Sequence, residues 1–198
     1  MANDSESAFD TQLVTKVRDY LARLQKEPKS NKRNLKAIGC IFDAVSTMGI
    51  GPVLVGGQAI EIYTFGNVTT VDFDLVVDAR YEFGDFLEAV GFEKQAGDRH
   101  WFHEDLELPI EIPDTRLIGS ADKISDIQVD EFVVPTIGVE DLILDRLRGA
   151  VYWNDTRDID TARFLVSGYK NELDISYMKQ VAQQEDKRIL DYLEVLLA

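Results

Sequence analysis

The sequence predicts an α/β or α+β fold, in which helices cover a small mixed β-sheet. Short apolar runs alternate with helical periodicity in the middle of the chain, apolar residues recur at helical spacing before it, and the pattern is helical from Val139 onward. These three observations predict an N-terminal helical extension over residues 1–48, an α/β core over 49–135, and a C-terminal helical bundle over 136–198 that packs on the core.

Composition limits the classes of protein to consider. Apolar residues make up 45% and charged residues 29% of the chain, as in ordinary globular proteins. The 36 acidic and 21 basic residues give a net charge of −15, which repels polyanions and disfavours a broad nucleic-acid surface. No apolar run approaches the roughly 20 residues of a membrane helix, and the N-terminus does not resemble a secretory signal. We therefore expect a cytoplasmic protein without membrane contacts, whose single cysteine, Cys40, is buried.

Two amphipathic helices are predicted before the core, over residues 9–24 and 35–45, with a break at 27–31. Four basic residues near the second helix leave two interpretations open, an anion-attracting patch or a solvated helix face. They are Lys29, Lys32, Arg33 and Lys36.

The core begins with a buried strand at 52–55, a helix at 58–65 that Gly66 ends, and a strand at 69–77 rich in β-branched residues. A second core helix is predicted at 81–90. The later elements are two strands within 99–113 that join near Asp105, a loop at 114–125, a strand at 127–134, and helices at 139–151, 156–167, 173–184 and 186–197.

A glycine doublet, Gly56 and Gly57, joins the first core strand to the helix beginning at Gln58. Without a Cβ, the doublet lets a ligand approach the backbone, and the helix N-terminus directs N–H groups and its positive dipole end toward that point. The doublet predicts a phosphate site, although glycines at such turns often serve only a steric purpose.

Two carboxylates, Asp72 and Asp74, follow on the next predicted strand. Side chains two residues apart on a strand share a face, so both could converge on one or two hard cations. The alternative is the solvated face of a half-buried strand. Aspartate is depleted in strands, and like charges this close repel unless a cation neutralises them, which favours the metal site.

A third acid, Glu111, stands between two isoleucines on a later strand, and Glu107 on the same segment competes for that role. Three acids could hold two Mg²⁺ ions, one lowering the pKa of an attacking hydroxyl and the other stabilising departing pyrophosphate.

Together these features resemble the DNA polymerase beta-like nucleotidyltransferase superfamily. The branch concerned contains minimal bacterial and archaeal members, including abortive-infection toxin-type proteins and antibiotic-modifying nucleotidyltransferases. The resemblance covers roughly residues 50–185. Its matched residues are Gly56, Gly57 and Ala59 on the turn and helix, Thr70, Asp72 and Asp74 on the next strand, and Glu111 on a later one.

The resemblance implies a nucleotidyltransferase core that uses Mg²⁺ or Mn²⁺. Asp72 and Asp74 would bind both metal ions, while Glu111 would complete the second metal site and assist deprotonation of the acceptor. The reaction implied is transfer of a nucleoside monophosphate from an NTP such as ATP to a hydroxyl acceptor, with release of pyrophosphate.

The same resemblance also implies which residues bind the nucleotide. Gly56 and Gly57 would hold the triphosphate, with Gln58 and Thr70 among the nucleotide-binding positions. Arg146 would direct its guanidinium toward the phosphates, unless it is an ordinary surface residue of its helix.

The acceptor and the partners stay open at this point. An acidic surface suits a cationic small molecule such as an aminoglycoside, whereas a tRNA end needs a basic patch that only the N-terminal helices offer. A protein hydroxyl, or a toxin restrained by an antitoxin protein, also fits the resemblance.

One departure from the family pattern favours another function. Relatives usually carry a basic residue shortly before the strand with the two aspartates, and residues 66–69 here contain none. The alternatives are therefore a catalytically silent module that binds a nucleotide or a protein, and an α/β domain with no metal site.

Two further signals are interpreted as structural. His100 and His103 would face opposite sides of a strand, so a shared zinc site is not expected and a structural role is preferred for both. Core packing is the expectation for four aromatic residues that could otherwise stack on a base. They are Trp101, Phe102, Tyr152 and Trp153.

Overall fold

A computed structural model describes residues 9–97 and 99–198. Residues 1–8, the start of the predicted N-terminal extension, lie outside the described residues. Packing divides the chain into two compact units. The sheet unit comprises the chain up to Leu54 together with Val71–Arg116 and Asp126–Pro135, and the helical unit comprises Val55–Thr70, Leu117–Ser125 and Thr136–Ala198. The two predicted boundaries between the three domains stay a prediction.

The described strands form one seven-stranded sheet, which is mixed, as the sequence predicted, but has two more strands than the five predicted. They are β1 Val53–Val55, β2 Phe73–Val76, β3 Glu93–Lys94, β4 His100–His103, β5 Leu108–Asp114, β6 Ser125–Val129 and β7 Phe132–Thr136. Their order across the sheet is β3-β4-β5-β2-β1-β7-β6. Strands β2 and β5 are parallel, whereas β4 runs antiparallel to both β3 and β5.

The predicted helices are all present, with ends shifted by a few residues. They are α1 Thr11–Leu24, α2 Asn31–Ser46, α3 Gly56–Tyr63, α4 Arg80–Ala89, α5 Val139–Trp153, α6 Thr156–Tyr169, α7 Ile175–Glu185 and α8 Lys187–Leu197. Side-chain caps explain several starts. Ser30, for example, accepts a hydrogen bond of 3.1 Å from the backbone N–H of Arg33 at the start of α2. No helix among the described residues is long and apolar enough to cross a membrane.

Strand β2 begins at Phe73, four residues later than predicted, because the preceding backbone is used by α3. The backbone N–H of Thr70 donates to Glu61 Oε2 at 3.0 Å, and its carbonyl accepts from Gln58 Nε2 at 3.2 Å. These bonds occupy groups that a longer strand would direct to a neighbouring strand. Asp72 therefore lies just before the strand and not on it.

The single strand predicted at 127–134 is wrong, since a turn divides it into β6 and β7. Asp130 takes a positive φ of 50°, and Gln128 Nε2 donates to the carbonyls of Asp130 and Phe132 at 2.7 and 3.0 Å. The turn contains neither glycine nor proline, so its most common sequence signal is missing.

In the sheet unit, α2 packs closely on the sheet. Ile38 and Ile41 are fully buried, and a Cβ on Gly39 would lie 2.6 Å from the Cβ of Phe132. Cys40 is buried as predicted, and burial raises the pKa of its thiol to about 12.

The helical unit has a separate apolar core, in which α5 to α8 contribute residues at helical spacing. Leu142, Leu165 and Met178 are each fully buried. The hydroxyl of Tyr63 donates to the carbonyl of Ile137 at 2.9 Å, which ties α3 to the segment before α5.

The basic residues of the N-terminal helices are engaged in ion pairs and hydrogen bonds. Lys29 pairs with Glu107, Lys32 with Asp130 at 2.7 Å, and Lys36 with Glu27 at 2.7 Å. The guanidinium of Arg33 donates to the carbonyl of Leu106. Each of these four basic residues thus has an acidic or carbonyl partner, which favours the solvated helix face, and the anion-attracting patch that a tRNA end would need stays a prediction.

Candidate active site

Three side chains from adjacent strands form a row on one face of the sheet. Asp74 on β2 is in register with Glu111 on the parallel strand β5, and Glu111 is in turn the partner of His100 on the antiparallel strand β4. Residues directly opposite on neighbouring strands share a face and are separated by about 4.8 Å between strands. We call Asp74, Glu111 and His100 the acidic row.

The opposite face of the same strands belongs to the core. Phe73 and Leu75, on either side of Asp74, have no exposed surface, and Ile110 and Ile112, on either side of Glu111, are buried to within 1%. This alternation places both acids on the face away from the core, as the period of two predicted.

Two basic groups contact the Glu111 carboxylate. Arg99 Nη2 lies 3.4 Å from Oε1, and His100 Nε2 lies 3.3 Å from Oε2. The side chain of Glu111 is 25% exposed, so these contacts are only partly screened by water. They offset the repulsion expected between acids on neighbouring strands.

A cavity of about 340 Å³ opens beside the acidic row within the sheet unit. Its polar lining consists of Asp72, Glu111, His100 and Gln95, and its apolar lining of Phe102, Pro109, Trp101 and Ile110. Asp72 and Glu111 therefore share one cavity, although Asp72 lies outside the strand on which it was predicted.

The donor set suits a hard divalent cation that keeps part of its shell for water and phosphate oxygens. Asp74 and Glu111 offer carboxylate oxygens from adjacent strands, which is how Mg²⁺ is commonly bound beside a phosphate substrate. Among the described residues, no group of three or more histidines, cysteines or acids is arranged so that it could hold a metal ion. The metal site predicted at Asp72, Asp74 and Glu111 therefore stays a prediction.

Glu107, the competing third acid, is not part of the row. It lies in the turn between β4 and β5 with a φ of 47°, and its carboxylate pairs with Lys29. This pairing lowers the pKa of Glu107, because the hydrogen bond from Lys29 favours the charged carboxylate. Glu111 is therefore the acid that the sheet places beside Asp74.

The glycine turn, Gly56 and Gly57, lies in the helical unit and opens α3 two residues earlier than predicted. Gly56 has a φ of 60°, which favours glycine, and a Cβ on Gly57 would lie 2.9 Å from both Cγ2 and Oγ1 of Thr70. The local structure therefore explains why glycine occupies both positions. The helix N-cap, Val55, makes no side-chain cap, which leaves this helix start without the polar side chain that often covers one.

Gln58 and Thr70, two predicted nucleotide-binding residues, contact each other. Gln58 is 2% exposed, and its side-chain amide donates to the carbonyl of Thr70. Both residues therefore hold the turn and its following loop together, and a direct contact with nucleotide stays a prediction.

Arg146 is held by two acids of the helical unit. Its guanidinium donates to Asp158 Oδ1 at 3.0 Å and to Asp145 Oδ2 at 2.5 Å. Burial acts to lower the pKa of Arg146, but the two carboxylates outweigh it and raise the pKa. Arg146 is only 24% exposed in its side chain, so it is not an ordinary surface residue, and its contact with phosphate stays a prediction.

The predicted structural role is confirmed for His103, whereas for His100, which lies beside Glu111, it stays a prediction. The two do face opposite sides of β4: His103 is 7% exposed and stacks edge-on against Phe92 at 5.0 Å, whereas His100 contacts Glu111. His100 and Arg99 are therefore site residues that the sequence reasoning missed. A signal was present, because His100 and Glu111 are almost equidistant from the predicted turn at Asp105.

Core packing is confirmed for Trp101, which is 2% exposed, but wrong for two other aromatic residues. Trp153 is 77% exposed and Tyr152 45% exposed at the end of α5. Phe102 is partly buried and lines the cavity beside Glu111.

Comparison with known proteins gives similarities of architecture. No protein-family model and no curated protein matches the chain. The chain is similar to the crystal structure of an antigenic nucleotidyltransferase-like protein from Paracoccidioides brasiliensis, at 13% identity over 92% of each chain with a TM-score of 0.49. It is also similar to the antibiotic-resistance factor ANT(2'')-Ia in solution, at 16% identity over 96% of this chain and 91% of that chain, with a TM-score of 0.44. A crystal structure of ANT(2")-Ia in complex with adenylyl-2"-tobramycin is 17% identical over 80% of this chain and 95% of that chain, with a TM-score of 0.46. These similarities assign no metal, substrate or catalytic residue to this chain.

Proposed function

We propose that the protein is a nucleotidyltransferase that uses Mg²⁺ or Mn²⁺ to move a nucleoside monophosphate from an NTP to a hydroxyl acceptor. The observation that carries the proposal is the in-register placement of Asp74 and Glu111 on adjacent parallel strands, with Asp72 lining the same cavity as Glu111. Carboxylates in direct cross-strand contact destabilise a sheet unless a positive charge offsets them, and such an arrangement is therefore typical of a functional site.

In the proposed reaction, the oxygen of the acceptor hydroxyl forms a bond to the α-phosphorus of the NTP. The bond from that phosphorus to the bridging oxygen breaks, pyrophosphate leaves, and the hydroxyl proton passes to the Glu111 carboxylate. A divalent cation, when bound, would lower the pKa of the attacking hydroxyl and stabilise the negative charge of the phosphates. Asp72 and Asp74 would hold it with Glu111 only after these side chains move together, because the three do not form a metal-binding group in this structure.

Binding of the triphosphate at the glycine turn, which lies in the helical unit, stays a prediction. The start of α3 has a positive dipole end, and its N-cap residue, Val55, makes no side-chain cap. Arg146 would contribute only by exchanging one of its carboxylate partners for a phosphate. ATP is the first NTP to test.

The proposed test is transfer of label from α-labelled NTPs in the presence of Mg²⁺ or Mn²⁺ to aminoglycoside, RNA and protein acceptors. We expect transfer by the wild-type protein and its loss in Asp72→Ala and Asp74→Asn. Asp85→Asn, an exposed acid on α4, is the matched control and should retain transfer. Retention of transfer in both site variants would contradict the proposal.

A catalytically silent module is the second candidate function. It is favoured by the missing basic residue at 66–69 and by the contacts of Glu111 with Arg99 and His100, which occupy the proposed base. Calorimetric measurement of ATP and metal binding, together with the transfer assay, distinguishes the two candidate functions. Binding of ATP without transfer to any acceptor would favour the silent module, whether its partner is an antitoxin or another protein. Absence of both metal and ATP binding would favour a domain with no metal site.

A further inference from the structure

The cavity beside Glu111 restricts which molecule can present a hydroxyl to that carboxylate. A general base must come within hydrogen-bond distance of the proton it accepts. Glu111 lines this cavity together with Asp72, so a ring seated there has its substituents next to both acids. The side chains that line the cavity therefore determine which kind of molecule it can bind.

The size of the cavity suits a small ring. Its volume of about 340 Å³ lies at the lower end of the range for small-molecule pockets, roughly 300 to 1,000 Å³. Phe102 and Pro109 form neighbouring apolar surfaces, since the two residues are cross-strand partners on β4 and β5. A ring with C–H groups on one face can pack on such a surface.

The local charge disfavours a polycation. The whole chain carries −15, which attracts cations at long range, but the Glu111 carboxylate is paired with the Arg99 guanidinium at 3.4 Å. Bringing an ammonium group to Glu111 would place it beside the Arg99 guanidinium. A polyanion is disfavoured for the opposite reason, because Asp72 and the net charge repel it.

The polar side chains that line the cavity can form hydrogen bonds with hydroxyl groups. Gln95 contributes an amide, whose nitrogen also donates to the carbonyl of Glu93 at 3.2 Å, and the Asp72 and Glu111 carboxylates accept hydrogen bonds. His100 adds a second ring nitrogen besides the Nε2 that contacts Glu111. Hydroxyls both donate and accept, so several of them on one ring could satisfy such a mixed wall.

We propose that this cavity is the acceptor-binding subsite and that it takes an uncharged, polyhydroxylated ring of about the size of one sugar or cyclitol. The inference rests on the proposed function, in that one ring hydroxyl is the group that attacks the α-phosphorus and gives its proton to Glu111. Gln95 and His100 bind the remaining hydroxyls.

The test measures binding without nucleotide or metal, by saturation-transfer difference NMR on the full chain. The probes are a panel of uncharged sugars and cyclitols that includes methyl glucoside and myo-inositol, with kanamycin as the polycation and a short single-stranded RNA as the polyanion. We expect at least one uncharged ring to bind more tightly than kanamycin and RNA. Its affinity should fall about tenfold in Gln95→Ala and in His100→Ala, as for loss of a hydrogen bond.

Both substituted side chains are largely exposed, so the variants should fold, and circular dichroism melts verify this. Gln183→Ala, an exposed glutamine on α7, is the matched control and should bind like the wild type. The inference is overturned if no uncharged ring binds, if kanamycin or RNA binds more tightly, or if both cavity variants bind the ring unchanged.

Transfer assays with the same probes distinguish this inference from the proposed function. Ring binding at the cavity without any nucleotide transfer would contradict nucleotidyl transfer while leaving a ring-binding cavity. Transfer to kanamycin or RNA with no binding of uncharged rings would contradict the subsite while leaving nucleotidyl transfer.

Discussion

Substitution of Gly57 by alanine separates the steric role of the glycine turn from its proposed phosphate role. The new Cβ would lie 2.9 Å from Cγ2 and Oγ1 of Thr70 and 3.0 Å from its Cβ, closer than side chains normally approach. Thr70 cannot move aside easily, because its side chain is β-branched and its backbone is bound by Gln58 and Glu61. Overpacking of this kind costs about 1–3 kcal/mol, and the better helix propensity of alanine returns up to about 1 kcal/mol. We expect Gly57→Ala to lower the free energy of unfolding by about 1–2 kcal/mol.

Urea denaturation of a double-mutant cycle measures this effect. In Gly57→Ala combined with Thr70→Gly, the colliding side chain is gone, so the two substitutions should be non-additive by about 1–2 kcal/mol. Gly168→Ala is the control, because a Cβ there meets nothing within 4 Å on α6, and it should be neutral or stabilising. If Gly57→Ala is as stable as Gly168→Ala, the contact with Thr70 is not the reason for this glycine.

Three further predictions follow from contacts in the two units. Gly149→Ala should lower the free energy of unfolding by about 3 kcal/mol in urea denaturation, because the added methyl overlaps the Asp158 carboxylate that binds Arg146; an unchanged midpoint would contradict this. Burial lowers the pKa of His103 below 6.5, so the stability it contributes is complete above pH 6.5 and is lost as the pH falls through the lower folded-state pKa. Thermal melts from pH 7.5 to 5 should therefore show a smaller loss of stability in His103→Leu than in the wild type, and parallel losses would refute the assignment. Ser30→Ala should cost about 1 kcal/mol in urea denaturation through loss of the α2 cap, whereas Ser30→Asp should not; equal stability of the two variants would contradict the cap.

Helices were predictable from the sequence because their signals are local. Apolar residues repeat every three to four positions, and cap residues such as Ser30 and Asp186 stand at the starts. Strand ends were less predictable, because they depend on groups distant in sequence. The true start of β2 at Phe73 follows from the hydrogen bonds that Gln58 and Glu61 make with Thr70, which no local pattern reveals.

The candidate site was likewise predictable where its signals are local and not predictable where they depend on residues distant in sequence. A period of two is a local signal. The side of the strand on which Asp74 lies, and the position of Glu111 between two isoleucines, could therefore be read from the sequence. The register between strands is not local, and it decides that Glu111 lies between Asp74 and His100. Arg99 was missed for the same reason, since its contact with Glu111 depends on the pairing of β4 with β5.

The acidic row also explains why the sequence departs from ordinary strand composition at these positions. Like charges directly opposite each other destabilise a sheet, and an alternating strand with serine or threonine at Asp74 and Glu111 would bury the same core with less repulsion. The sheet instead keeps both acids, and Arg99 and His100 contact Glu111. Departures from local preference that a fold tolerates are concentrated at functional sites. A cation bound beside Asp74 and Glu111, as in the proposed function, would offset the charge of both acids and would explain why the strands keep them.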